Sequence, residues 1–146
     1  MDDIDRRILS ELQHEARLTR SELGKRVGLS PSAVADRLRR LEESGAILGY
    51  RAELNPRALG YDMAAIIRVR PDVGQLKKIA AVAAATPEVI ECHRVTGEDC
   101  YAMHIVFRSI DELEGLIDQF TPLGRTTTSI VNATPVPRRG LAIGRA

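Results

Sequence analysis

Residues Leu18–Ile47 read LTRSELGKRVGLSPSAVADRLRRLEESGAI. Two short amphipathic runs flank a turn containing Gly28, and the second run is rich in arginine. Thr19 and Ser21 are both able to cap the start of the first run. Leu23 and Val27 lie four apart and share its inner face. Gly28 supplies the left-handed residue that ends the run, and Leu29 plugs the turn. Ser30-Pro31 is then a strong helix start, because serine caps and proline at the first helical position forfeits no hydrogen bond. The second helix is expected from Pro31 to about Ser44, with Gly45 as its stop. This pattern is a helix-turn-helix, which places its second helix in the major groove of DNA.

Projected at about 100° per residue, Val34, Leu38 and Leu41 face the core. Ser32, Asp36, Arg39 and Arg40 face away, with Ala33 at their edge. A docked recognition helix reads base edges with its N-terminal part, which assigns Ser32, Ala33 and Asp36 to base readout. Arg37, Arg39 and Arg40 are candidate phosphate contacts, and Arg40 is also a candidate for guanine. Ser30 joins this DNA-contacting set at the turn. A merely solvated charged helix is the weaker reading, given the Gly28 and Ser30-Pro31 context. Asp36, Glu42 and Glu43 argue against a purely electrostatic binder.

A chain of 146 residues makes one large domain or two small ones. The net charge of +1 is too near neutrality for non-specific nucleic-acid binding, so DNA contact must come from a local patch doubled by dimer symmetry. Aromatics are scarce and tryptophan is absent, so aliphatic cores are expected. No run of about 18 apolar residues and no signal peptide is found, so a soluble cytoplasmic chain without a membrane partner is expected. Cys92 and Cys100 fit no metal spacing and are expected to be buried, unpaired thiols.

Taken in order, Asp2, Asp3 and Asp5 open a first helix whose stripe is Ile4, Ile8 or Leu9, and Leu12. After Gly45, the residues Ile47, Tyr50, Ala52 and Leu54 suit a short hairpin bending near Gly49. That hairpin would be a wing from which Arg51 touches the DNA backbone. Residues 1–54 are therefore read as a winged helix-turn-helix domain and 55–60, with Asn55-Pro56-Arg57, as a linker. Residues 61–137 then read as strand 61–70, helix 73–85, strand 89–96, strand 100–107, helix from Ser109 and strand 125–136. The helix over 73–85 buries Leu76, Ile79, Ala80 and Ala83 and closes at Thr86-Pro87. Ser109 and Glu112 form a capping box before Leu113, Leu116, Ile117 and Phe120. The order βαββαβ is the ferredoxin-like unit, so the fold class is α+β. Its sheet carries helices on one face only. Both parities of the third strand hold apolar residues, which argues for a homodimer through the uncovered face. Residues 138–146 read as a flexible tail.

The chain resembles the Lrp/AsnC (feast/famine) family over nearly its whole length. The matching residues are Asp5-Arg6-Arg7-Ile8-Leu9, Val27-Gly28-Leu29-Ser30 with Arg37, Leu38 and Leu41, and Gly45-Ala46-Ile47-Leu48-Gly49-Tyr50. Val95-Thr96-Gly97 with Tyr101, and Thr126-Thr127-Thr128, continue the match. The resemblance implies a transcriptional regulator that binds double-stranded DNA. It implies a C-terminal (RAM-type) domain that forms homodimers and often octamers, and a small effector, commonly an amino acid, held between subunits. No other cofactor and no metal are expected.

The effector site implied by the resemblance lies at the Gly97 turn, with Thr96, Glu98 and Asp99 beside it. Gly97 lets a ligand approach the backbone, Glu98 and Asp99 can receive an ammonium, and Thr126, Thr127 and Thr128 of a neighbouring chain can add hydroxyls. Where family members often have Asp-Tyr, this chain has Cys100-Tyr101. On residue types alone, Gly97-Glu98-Asp99 is equally a solvated hairpin turn. Two rival functions remain: a siroheme-decarboxylase-like enzyme, and an architectural DNA binder without an effector. His93 and His104 on neighbouring strands, almost opposite if the loop is two residues, would serve the enzyme. Those decarboxylases, however, resemble one another in an Asn-x-Trp segment that this chain lacks. A non-enzymatic regulator is the expectation.

Overall fold

The computed structural model describes residues 1–144 and divides the chain into two compact units. One unit is Met1–Glu53 together with the chain from Val136 onward, and the other is Leu54–Pro135.

The first unit is three helices: α1 (Asp3–His14), α2 (Arg20–Val27) and α3 (Pro31–Glu43). Their starts are set locally. Asp2 caps α1 in a reciprocal box with Asp5, and Thr19 caps α2 in one with Glu22. Ser30 caps α3 by accepting from the Ala33 N–H, with Pro31 in the first turn. Gly28 ends α2 in the left-handed region at φ 77°, as the turn requires. The core is aliphatic: Ile8, Leu23, Val27, Val34 and Leu41 are buried, and Leu29, Leu38 and Ile47 pack against them. Each fully buried aliphatic side chain contributes about 1.5–3 kcal/mol.

The expected wing hairpin is absent from this unit. Residues 46–55 form no strand, and Leu48 and Leu54 are 94% and 65% exposed. A strand needs a partner for its N–H and C=O groups, and no described residue pairs with this segment. Its ties lead back to α3, through Ile47 N–H donating to the Leu41 carbonyl and Tyr50 Oη donating to Glu42 at 2.9 Å.

The segment expected as a tail is described as far as Gly144; Arg145 and Ala146 lie outside the described residues. Leu141 N–H donates to Gln13 Oε1, Gln13 Nε2 donates to the Leu141 carbonyl at 3.1 Å, and Arg6 donates to the Gly144 carbonyl. Residues 141–144 are therefore tied to α1 and are not free of the unit.

The second unit begins with a 3₁₀ turn, Pro56–Leu59, and continues β1 (Met63–Pro71), α4 (Leu76–Ala85), β2 (Val89–Arg94), β3 (Tyr101–Phe107), α5 (Ile110–Phe120) and β4 (Gly124–Ile130). A short 3₁₀ turn, Thr121–Leu123, joins α5 to β4. The antiparallel sheet has the order β2-β3-β1-β4, the ferredoxin-like arrangement. Ala65, Ile67 and Val69 of β1 and Tyr101, Met103, Ile105 and Phe107 of β3 bury one face against Ile79 and Ala83 of α4 and Leu113, Leu116 and Phe120 of α5.

Several boundaries differ from expectation. Helix α4 starts at Leu76, after Gly74 in the left-handed region at φ 81°, and Ala80 is exposed on it. Strand β2 stops at Arg94, and β4 stops at Ile130, short of Pro135 and Pro137. Ser109 caps α5, but Glu112 reaches back to the N–H of Arg108 and not to that of Ser109, so the reciprocal box is half formed. Cys92 is exposed because β2 is an edge strand, and Cys100 is half-buried; both are free thiols.

The uncovered sheet face is divided. Ala64 opposite Val106, and Ile66 opposite His104, make one end largely apolar. Arg68 opposite Thr127, and Arg70 opposite Arg125, make the other end polar.

Candidate nucleic-acid interface and regulatory loop

The helix-turn-helix is closed at its corner by Gly24. A Cβ there would lie 2.5 Å from the Leu29 carbonyl oxygen, and Leu29 N–H donates to the Gly24 carbonyl at 2.9 Å. Val34 then seats α3 against α2, and Leu41 holds its far end. This leaves one face of α3 in solvent, with Ser32, Asp36, Arg39 and Arg40 exposed and Ala33 half-exposed. Arg39 and Asp36 make a loose ion pair at 3.5 Å between side chains more than 65% exposed, so it offers little resistance to a phosphate. Ser30 is committed as a cap, and its Oγ lies 3.1 Å from that of Ser32. Arg51 is exposed on the extended segment after α3.

Arg37 is not part of that face. Its Nη1 lies 2.7 Å from both Asp2 and Asp5, and its side chain is only 18% exposed. The guanidinium hydrogen bond holds the Asp2 carboxyl down at about 2, and the two carboxylates hold Arg37 firmly charged. Arg37 thus ties α3 to the start of α1, where sequence projection had placed a phosphate contact. Arg20, at the first position of α2, and Lys25 are exposed cations that sequence reasoning passed over. Their signal was available: the first helix of this motif crosses the DNA backbone. Tyr50 has its hydroxyl pushed up to about 12 by burial and by the Glu42 carboxylate that accepts its hydrogen bond.

In the second unit, the loop from Val95 to Cys100 joins β2 to β3. It is pinned by Val95 N–H donating to the Cys100 carbonyl and by Cys100 N–H donating to the Val69 carbonyl. Gly97 has φ 115°, a conformation that disfavours other residues. The loop directs Asp99 to Arg68 at 3.8 Å and Glu98 to Arg70 at 3.9 Å. Thr127 shares the open face with these groups, opposite Arg68. Thr126 and Thr128 point to the helix-covered side, since successive strand residues alternate. The three threonines are thus not one hydroxyl cluster. Thr96 is exposed. Sequence reasoning missed Arg68, Arg70 and Arg125, although the alternation in Ile66-Ile67-Arg68-Val69-Arg70 marks the first two as sharing a face.

His93 and His104 share the open face but are not opposite. Glu91 faces His104 and Ala102 faces His93, because the loop is longer than two residues. His93 Nε2 lies 3.3 Å from Glu91. Among the described residues, no three His, Cys, Asp or Glu side chains converge on a metal position.

A capped helix-turn-helix with an exposed basic recognition face, joined to a βαββαβ unit with a polar loop, defines a two-domain DNA-binding transcriptional regulator. Residues 1–47 match the family described as winged helix-turn-helix DNA-binding, and residues 64–141 match the Lrp/AsnC ligand binding domain. The chain belongs to the Lrp/AsnC family. It is 43% identical over 131 residues to an uncharacterized HTH-type transcriptional regulator, YezC, of Bacillus subtilis, covering 90% of this chain and 93% of that one. The structure of B. subtilis LrpC superposes with a TM-score of 0.90 at 28% identity, covering 94% of this chain and 99% of that one. A transcriptional regulator of Neisseria meningitidis, solved as its L-Met complex, gives a TM-score of 0.88 at 30% identity, with 95% and 94% covered. No helix among the described residues is long and apolar enough to cross a membrane.

Proposed function

We propose that this chain regulates transcription in the cytoplasm as a homodimer or larger assembly, and that it catalyses no reaction. The observation that carries this reading is the solvent-facing side of α3, with Ser32, Asp36, Arg39 and Arg40 exposed opposite the buried Val34 and Leu41. A helix so disposed enters a major groove with its N-terminal residues at base edges and its arginines at phosphates. The largely apolar end of the open sheet face, at Ala64, Ile66 and Val106, is the dimer contact. Two-fold symmetry then sets two α3 helices on half-sites about one helical turn apart, or a multiple of that. An amino acid, and no other cofactor, acts at the Gly97 loop and changes half-site spacing or assembly, a coupling between two sites. The relative solved with L-Met supports a small amino acid as effector.

Selection of the full-length chain on a random duplex pool tests this. Enrichment of two related half-sites spaced by about 10 base pairs or a multiple supports it. Recovery of an unenriched pool contradicts it.

A further inference from the structure

We propose that the polar end of the open sheet face binds an acidic α-amino acid, one bearing an ammonium and two carboxylates. This deepens the reading that the Gly97 loop is the effector site and rests on it. The cluster is Arg68 and Arg70 on β1, Arg125 on β4, and Glu98 and Asp99 on the loop.

Arg70 and Arg125 are directly opposite on adjacent strands, and Arg68 is two residues along on the same face. Side chains so placed have Cβ atoms about 4.5–5.5 Å apart, and like charges there repel. The loop acids relieve this only in part. Their ion pairs, at 3.8 and 3.9 Å, are more than 1 Å longer than the 2.7 Å contacts of Arg37 in the other unit. Arg125 makes no ion pair with any described residue.

The charge count then selects the ligand. Arginines 68, 70 and 125 against the carboxylates of Glu98 and Asp99 leave one positive charge. An acidic amino acid carries a net charge of −1 and cancels it. A neutral amino acid leaves it uncancelled, and a basic one adds to it. The chemistry fits group by group. Glu98 and Asp99 receive the ammonium, while Arg70 and Arg125 offer planar forks that hold a carboxylate in bidentate fashion. Arg68 and the Thr127 hydroxyl stand beside them for the second carboxylate. The Cys100 to Val69 hydrogen bond fixes the loop acids above β1, so the site is assembled before a ligand arrives.

Calorimetric titration of the full-length chain tests this with L-glutamate, L-aspartate, L-glutamine, L-asparagine, L-leucine, L-lysine and inorganic phosphate. L-Glutamate or L-aspartate is expected to bind about tenfold or more tightly than its amide, the price of one lost charge-assisted contact. Arg70→Gln and Arg125→Gln are expected to bring acid and amide to near parity, with the thermal unfolding midpoint unchanged. Equal or tighter binding of a neutral amino acid would overturn this inference while leaving the effector reading intact. Phosphate binding as tightly as glutamate would overturn it in favour of a simple anion site. Binding of no amino acid at all, with DNA binding retained, would overturn both this inference and the effector reading.

Discussion

Alanine in place of glycine should act in opposite directions at two helical positions. Gly24 in α2 and Gly115 in α5 both have ordinary helical backbone. At Gly115 an added methyl meets nothing within 4 Å, so Gly115→Ala expresses only the helix preference. That stabilises by about 0.5–1 kcal/mol. At Gly24 the same methyl falls 2.5 Å from the Leu29 carbonyl oxygen and 3.5 Å from Val34 Cγ2. The oxygen is backbone, in a turn fixed by Leu29 N–H and Gly28 N–H both donating to the Gly24 carbonyl. It cannot rotate away, and α2 and α3 must separate. Overpacking of this kind costs about 1–3 kcal/mol. After the helix gain is subtracted, the net loss is about 0–2.5 kcal/mol, centred near 1, or roughly 5–10 °C in the unfolding midpoint of a small unit at that centre. Scanning calorimetry of the full-length chain, with far-ultraviolet circular dichroism alongside, would measure both variants. A Gly24→Ala midpoint at or above that of the unsubstituted protein would refute the argument that this corner sets the α2–α3 geometry.

Other consequences follow from the same geometry. The Asp2 carboxyl titrates at about 2 when folded against 3.8 ordinarily, so its contribution is complete above about pH 4 and is lost as pH falls through about 2. Arg37→Gln should remove the largest part of the lowering, leaving that from the Asp5 backbone N–H, and make that acid limb shallower; an unchanged limb in unfolding curves would show that Arg37 does not hold Asp2. Arg40→Ala should leave the unfolding midpoint unchanged and reduce the slope of log affinity for DNA against log salt by about 0.9 per subunit, measured by titration at several salt concentrations. A lowered midpoint with an unchanged slope would make Arg40 structural. Gly97→Val forces φ 115° on a β-branched residue and should abolish any effect of amino acids on DNA binding while α2 and α3 stay folded. Persistence of the full effect would remove Gly97 from the effector site.

What was legible in the sequence was what neighbours in the chain decide. Thr19, Gly28, Ser30-Pro31 and Gly45 punctuate α2 and α3 because caps and left-handed turns are local chemistry. The βαββαβ order was legible because strand and helix periods differ, and Thr86-Pro87 and Gly97-Glu98-Asp99 mark breaks. Partnership across the chain was less so. The sequence offered Arg37 as a phosphate contact but could not show Asp2 and Asp5, 35 and 32 residues away, pairing with it. The alternation after Gly45 suggested a hairpin, yet a strand exists only with a partner, and 46–55 has none among the described residues. Cys92 looked apolar and buried until β2 proved to be the edge of the sheet. Thr126, Thr127 and Thr128 were grouped as one motif, although strand alternation sends only Thr127 to the open face. Arg68, Arg70 and Arg125 emerge as a cluster only once β1 and β4 are paired in register.

The central claim is that α3 reads DNA. Fluorescence-anisotropy titration of the full-length protein on labelled duplex from immediately upstream of its own gene tests it directly, against a scrambled duplex at two salt concentrations. The account predicts saturable binding that weakens steeply with salt and favours the upstream duplex. It predicts further that Ser32→Ala combined with Asp36→Ala erases the preference while residual salt-sensitive binding persists. An upstream preference unchanged by the α3 substitutions, or no salt-sensitive binding to either duplex, would contradict it.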